Sequence, residues 1–191
     1  MITVPPHIRP ATPTEAVQCP FVEREASALF RDTEFPWLVG QAADAEVYER
    51  AARRKDLLVA CDSGRKEEGE DLSKVVGFVL LRSLGADALY VAELGVLPTH
   101  QGQRLGARLL DAAEKVAHMR LARWLVLRTF KAVPWNAPYY RRLGFTDPPP
   151  GLSDQTWREL AAVAAKEVRH GLSEHNRLFL SRPVRVGGQT V

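Results

Sequence analysis

The sequence predicts a single-domain α/β protein with a mixed sheet flanked by helices, on three observations. Two apolar runs, Lys74–Arg82 and Ala88–Leu97, are joined by Gly85-Ala86-Asp87 and read as an antiparallel hairpin. The second run passes a Pro-stopped turn and a Gly-containing loop into an amphipathic helix, Leu105–Arg120, with Leu105, Leu109, Ala112 and Val116 on one face. A further apolar run, Trp124–Thr129, follows that helix. Strand–helix–strand order makes Ala88–Leu97 and Trp124–Thr129 parallel neighbours through a right-handed crossover.

The remaining elements follow in order. Ile8–Thr12 reads as a short strand. Glu15 to about Arg31 reads as one helix with Val17, Phe21, Ala28 and Leu29 among its apolar positions. Phe35-Pro36-Trp37 breaks it. Asp44–Arg54 is a second helix, capped by Asp44 and ending in basic residues that suit its dipole. Leu57–Cys61 is a strand, and the charged stretch 62–73 is the segment expected to be disordered. Asn136 and Pro138 start a short helix that Gly144 stops. After the stiff run Asp147–Gly151, Ser153–His170 is a helix with Trp157, Leu160, Ala161, Ala164 and Val168 on one side. That helix either packs on the sheet edge or covers a substrate pocket. Asn176–Ser181 is a last strand, and 185–191 is a loose tail. One domain spans 1–191, with its core at about 8–145 and an added helix and strand at about 152–182.

Composition narrows the class. With 191 residues, 46% hydrophobic and 26% charged, the chain is ordinary globular protein. A net charge of +3, with no zinc spacing and no stacking aromatics, argues against a nucleic-acid partner. No apolar run reaches membrane length, and the N-terminus lacks the basic and apolar regions of a secretion signal, so no membrane partner is expected. Cys19 and Cys61 read as free thiols of a reducing cytoplasm. The five histidines and two cysteines form no metal spacing, so no metal is assigned. His100 reads as a solvated loop residue. Seven cations but only two carboxylates lie between Gln101 and Lys131, either a basic end for a polyanion or a solvated helix face.

Chemistry concentrates in Val91–Ala107, VAELGVLPTHQGQRLGA. Gly102 and Gly106 sit where loop becomes helix, and the first N–H groups of a helix offer an anion site. The pattern is neither a phosphate-binding G-x-x-x-x-G-K-[ST] loop nor a dinucleotide fingerprint. It resembles the acetyl-CoA loop of the GNAT N-acyltransferase superfamily, Gln/Arg-x-x-Gly-x-Gly/Ala, here Gln101, Gly102, Gln103, Arg104, Leu105 and Gly106. Arg104 stands where that pattern prefers glycine. The ending VPWNAPYYRRLGF, residues 133–145, and the opening Ile8–Thr12 also resemble the family.

The resemblance implies a GNAT-like sheet of about six to seven strands and an N-acetyltransferase. Acetyl-CoA would be the cosubstrate, and the acetyl acceptor a primary amine of a small molecule or peptide, by direct transfer. Glu93 is then the base, against a structural glutamate paired with an arginine. Tyr140, four residues before Gly144-Phe145, is the proton donor, against a core tyrosine. The cofactor would be held by Gln101, Gly102, Gln103, Arg104, Leu105, Gly106 and Ala107, by the backbone of Leu94 and Val96 beside Gly95, and by Asn136. Asn136 would stand in for an upstream family asparagine that is Val133 here. A helical backbone at Arg104 would add a phosphate contact without loss. Glu34, Phe35, Trp37 and Trp135 line the acceptor side or plug the core. A homodimer is compatible with this reading. The competing reading is a GNAT-like module that binds acyl-CoA without transfer.

Overall fold

The computed structural model describes residues 5–62, 74–148, 151–169 and 171–185. The expected disorder at 62–73, apart from Asp62, and the tail beyond Arg185 lie outside the described residues. The elements are β1 (His7–Pro10), α1 (Pro13–Ala16), α2 (Cys19–Ala26), α3 (Ala45–Arg53), β2 (Leu57–Asp62), β3 (Lys74–Leu84), β4 (Ala88–Val96), α4 (Leu105–Met119), β5 (Trp124–Phe130), α5 (Ala137–Arg142), α6 (Asp154–Arg169) and β6 (Arg177–Pro183). The six strands form one mixed sheet in chain order, flanked by helices. β1–β2, β2–β3 and β5–β6 pair antiparallel. β4 and β5 pair in parallel, Ala88–Val91 against Trp124–Leu127, as the crossover through α4 requires.

The chain divides into two compact units, Met1–Leu81 with Glu93–Ala112, and Arg82–Ala92 with Ala113–Val191. The boundaries fall inside β3, β4 and α4. In the first unit the expected helix from Glu15 to Arg31 is broken. Pro20 stands in the first turn of α2, where its missing N–H is harmless, and a 3-10 turn, Ser27–Phe30, follows. Two short helices rotate the buried face. Ala16, Cys19 and Val22 are buried, whereas Val17, Phe21 and Leu29 are exposed, contrary to the sequence periodicity.

α1 begins with a reciprocal capping box between Thr12 and Glu15, and Arg9 grips the same carboxylate. Asp44 occupies the cap position of α3, but its side chain makes no cap bond. On the inner side of α3, Tyr48 is fully buried, edge-on to Phe78 at 5.2 Å, and its hydroxyl donates to Glu23. Burial, then the charge of Glu23, pushes this phenol above its ordinary range. Burial likewise pushes the Cys19 thiol up to about 12, so this free cysteine is an inert packing group. Gly95 has a packing cause: a Cβ there would stand 2.6 Å from Cε1 of Phe78.

The second unit is built on Leu84, Ala88, Tyr90, Val126, Leu152 and Leu160, so α6 packs on residues of β3, β4 and β5. Its buried side is Thr156, Leu160 and Ala164. Trp157 and Val168 are exposed, and so is Ala161, a correction to the face read from sequence. The start of α6 decides that rotation. Asp87 accepts from the Ser153 N–H at 2.8 Å, from its hydroxyl at 2.8 Å, and from the Thr156 hydroxyl. Arg185, expected in a loose tail, binds Glu114 through backbone and guanidinium, beside the buried Arg182–Glu114 pair.

Candidate functional site

In the first unit β4 ends at Val96, a 3-10 turn spans Pro98–His100, and the loop Gln101–Arg104 enters α4. Gly102 and Arg104 both have positive φ, 73° and 59°. Arg104 is therefore not helical, and the condition for a phosphate contact without loss is not met. An arginine holds the left-handed conformation that suits glycine, at a cost of about 1 kcal/mol. The reward is the aim of the backbone. The first loop-to-helix hydrogen bond runs from the Arg108 N–H to the Arg104 carbonyl at 3.0 Å. The N–H groups of Leu105, Gly106 and Ala107 have no acceptor among the described residues. Such donors, with a helix dipole behind them, have the geometry that can take an anion. The Arg104 side chain is exposed and makes no hydrogen bond or ion pair among the described residues.

Side chains fix the loop. The Gln101 amide donates to the Val96 carbonyl at 3.0 Å, and the Gln103 amide to the Thr99 carbonyl at 3.2 Å. His100 is half-buried in this loop and tied down at both ring nitrogens: Nε2 meets Asp62 of β2 at 3.1 Å, and Nδ1 meets the Thr99 hydroxyl at 2.9 Å. The Leu97 N–H bonds to Val76 of β3. Alternation therefore turns the backbone polar groups of Leu94 and Val96 away from β3. There the Leu94 N–H meets Glu93 Oε1 at 3.3 Å. Glu93 is half-buried, and its charge contributes to the raised Tyr48 phenol after burial and Glu23.

The segment expected on the acceptor side is tied to α2 and the turn after it. The Ala43 N–H donates to Glu23 at 2.8 Å and the Gly40 N–H to Ser27 Oγ at 2.9 Å. Of its candidates, Phe35 is buried and is a core plug, whereas Glu34 and Trp37 are exposed.

In the second unit Asn136 precedes α5 but does not cap it. Its Oδ1 accepts from the Thr129 hydroxyl at 3.0 Å. Its Nδ2 is buried without a partner among the described residues. A buried donor left unpaired costs about 1–3 kcal/mol, so this amide fits a site completed by a ligand carbonyl. Thr129, which fixes that amide, escaped the sequence reading; its only signal is its place at the end of an apolar strand. Tyr140 is half-buried, edge-on to Phe145 at 5.9 Å and to Tyr139 at 5.3 Å. Gly144, at φ 83°, ends the helix as expected. Val133 is buried and Trp135 is exposed.

The cations between Gln101 and Lys131 do not form one basic end. Arg108 donates to the Pro6 carbonyl at 2.7 Å, and Arg128 is buried against Glu167 and Phe179. Among the described residues no helix is long and apolar enough to cross a membrane.

Residues 53–147 match the acetyltransferase (GNAT) domain family. Solved structures share the fold at low identity. A Mycobacterium tuberculosis protein in complex with CoA is 17% identical with a TM-score of 0.64, covering 94% of this chain and 100% of that one. The PaiA N-acetyltransferase of Thermoplasma acidophilum, in complex with coenzyme A, is 13% identical with a TM-score of 0.66, covering 93% and 98%. N-acetylglutamate synthase of Neisseria gonorrhoeae, complexed with coenzyme A and N-acetyl-glutamate, is 18% identical with a TM-score of 0.61, covering 94% of this chain and 35% of its own. The matched domain, the order of the strands and the loop leading into α4 agree: the chain belongs to the GNAT superfamily of acyltransferases.

Proposed function

We propose that the chain moves an acetyl group from acetyl-CoA to a primary amine of a small molecule or peptide by direct transfer. The observation that carries this reading is the row of N–H groups at Leu105, Gly106 and Ala107 without an acceptor among the described residues, behind a loop held in two left-handed residues. Those donors, with Gln101, Gly102, Gln103 and Arg104, would hold the diphosphate of the cosubstrate. The backbone of Leu94 and Val96 would take its pantetheine amides. The Gln101 and Glu93 side chains that now meet those groups would give way. The orphaned Asn136 Nδ2 fits one further carbonyl of that arm.

The cosubstrate supplies a thioester. Glu93 takes a proton from the acceptor ammonium, directly or through water, because only the free amine carries a lone pair for attack. The new C–N bond forms as the C–S bond breaks. Tyr140 gives its phenolic proton to the leaving thiolate and is restored by the second proton that the acylated nitrogen sheds to become a neutral amide. Glu34, Trp37 and Trp135 are the exposed groups that would meet the acceptor. Two buried cysteines, neither in a disulfide, suit a cytoplasmic protein.

Arg104 in a glycine position and Val133 in an asparagine position favour the second reading, a module that holds acyl-CoA without transfer. Thiol release from acetyl-CoA with a panel of polyamines, aminoglycosides, amino acids and peptides separates the two. Amine-dependent release supports the enzyme; tight cosubstrate binding without release under any amine supports the module. In an active pair, Glu93→Gln should displace the acidic limb of the pH–rate profile. An unmoved limb removes Glu93 from the role of base.

A further inference from the structure

α6 has two apolar sides. The inward one is Thr156, Leu160 and Ala164. The outward one carries Trp157, Ala161, Ala165 and Val168, spaced four, four and three residues apart, which is one continuous stripe. Trp157 and Val168 remain 39% and 46% exposed. Ala161 and Ala165 are exposed as well. Scattered exposed apolar residues are ordinary, but a stripe along three turns of one helix marks a contact surface.

The charges on the stripe select the partner. The first turn is acidic through Asp154, and the last is basic through Lys166 and Arg169. Asp154 lies on the stripe seven residues before Ala161, and Val168 lies seven after it. We propose that α6 is a self-association surface, and that two copies pair it antiparallel about a two-fold axis at Ala161. That register sets each Trp157 over the alanine at position 165 of the other copy. It sets each Asp154 beside the other copy's basic last turn. Large meets small, acid meets base, and the two helix dipoles oppose. A parallel pairing would instead stack tryptophan on tryptophan and aspartate on aspartate.

One helix of 16 residues is about 24 Å long and offers less than the roughly 800 Å² per partner of a standard interface. The dimer is therefore weak, with dissociation on the order of tens of micromolar. The proposal does not depend on acyl transfer.

Sedimentation equilibrium of the full chain, from about 5 to 200 μM, should show a monomer–dimer equilibrium spanning that affinity. Ala161→Arg places like charges face to face at the axis and should weaken the dimer at least tenfold. Val168→Lys reads the same contact should the first variant fail to fold, with circular dichroism as the check. Asp154→Arg should weaken it too, and Asp154→Arg with Arg169→Asp should restore it. A monomer at the highest concentration overturns the proposal. So does a dimer indifferent to both stripe substitutions, or a double charge exchange that restores nothing.

Discussion

The starts of α4 and α6 face the same physical problem and solve it in opposite ways. Each helix of about four turns leaves its first N–H groups without internal partners. At α6 the problem is closed. Ser153 accepts from the Thr156 N–H at 3.2 Å, and Asp87 holds Ser153 and Thr156 in turn. The Thr156 hydroxyl also reaches the Leu84 carbonyl at 3.2 Å. At α4 the problem is left open, and two left-handed residues, Gly102 and Arg104, hold it open. A closed end contributes stability. An open end forgoes it and leaves its donors available to an anion. On this account damage at α6 lowers stability and spares the chemistry, and damage around the α4 site does the reverse.

The largest effect belongs to the proposed acyl transfer. Tyr140→Phe should lower kcat by about 10²–10⁴-fold, the usual loss for a general acid, with the KM for acetyl-CoA nearly unchanged. Steady-state kinetics with an active amine reads this. An unchanged kcat would return Tyr140 to a packing role against Phe145.

Next comes the closed end. Asp87→Ala should cost about 3 kcal/mol, because it strands a backbone N–H and two hydroxyls. The KM for acetyl-CoA should not move. Denaturant unfolding beside kinetics makes the comparison, and an affinity loss without a stability loss would invert it. Burial alone would raise the Asp87 carboxyl, but hydrogen bonds from Thr156 and Ser153 outweigh it and hold the group below its ordinary value. Its contribution is therefore present above pH ~4 and lost as pH falls through the lowered value. Asp87→Asn should flatten that acid limb in unfolding midpoints measured against pH.

The smallest effect is at Arg104, and it carries two signs. Arg104→Ala keeps the left-handed cost and removes the charge. It should weaken CoA binding by about 1 kcal/mol, less at high salt. Arg104→Gly removes both and should raise stability by about 1 kcal/mol. Thermal unfolding and CoA titration of the two variants separate backbone from side chain. Tighter CoA binding by Arg104→Gly would make the arginine an obstruction.

Local signals were legible in the sequence, and contacts between distant residues were not. β2, β3, β4, β5 and α4 lie within about two residues of the expected ranges, because apolar period and turn residues are local properties. The break before α2 had a local signal in Pro20, but the reading of one helix from Glu15 to Arg31 passed over it. The rotation of α6 was not legible, since it is set by Asp87, more than 60 residues upstream of Ser153 and Thr156. The loop of the candidate site stood out because glycines mark positive φ, but the left-handed Arg104 breaks that rule. Thr129 fixes Asn136 by a contact that no pattern encodes. We propose that 1–191 unfolds as one cooperative domain, because β3, β4 and α4 each run through both compact units. Calorimetry should show one transition, and two would separate the units.

The central claim is that the open start of α4 binds the diphosphate of an acyl-CoA. Isothermal titration of the full chain with acetyl-CoA tests it most directly. The account predicts saturable one-site binding that Arg104→Ala weakens and Asp87→Ala leaves alone. At about 100 times the dissociation constant, the ligand should add about 2.7 kcal/mol to stability. No heat and no shift in melting at millimolar acetyl-CoA or CoA would contradict it.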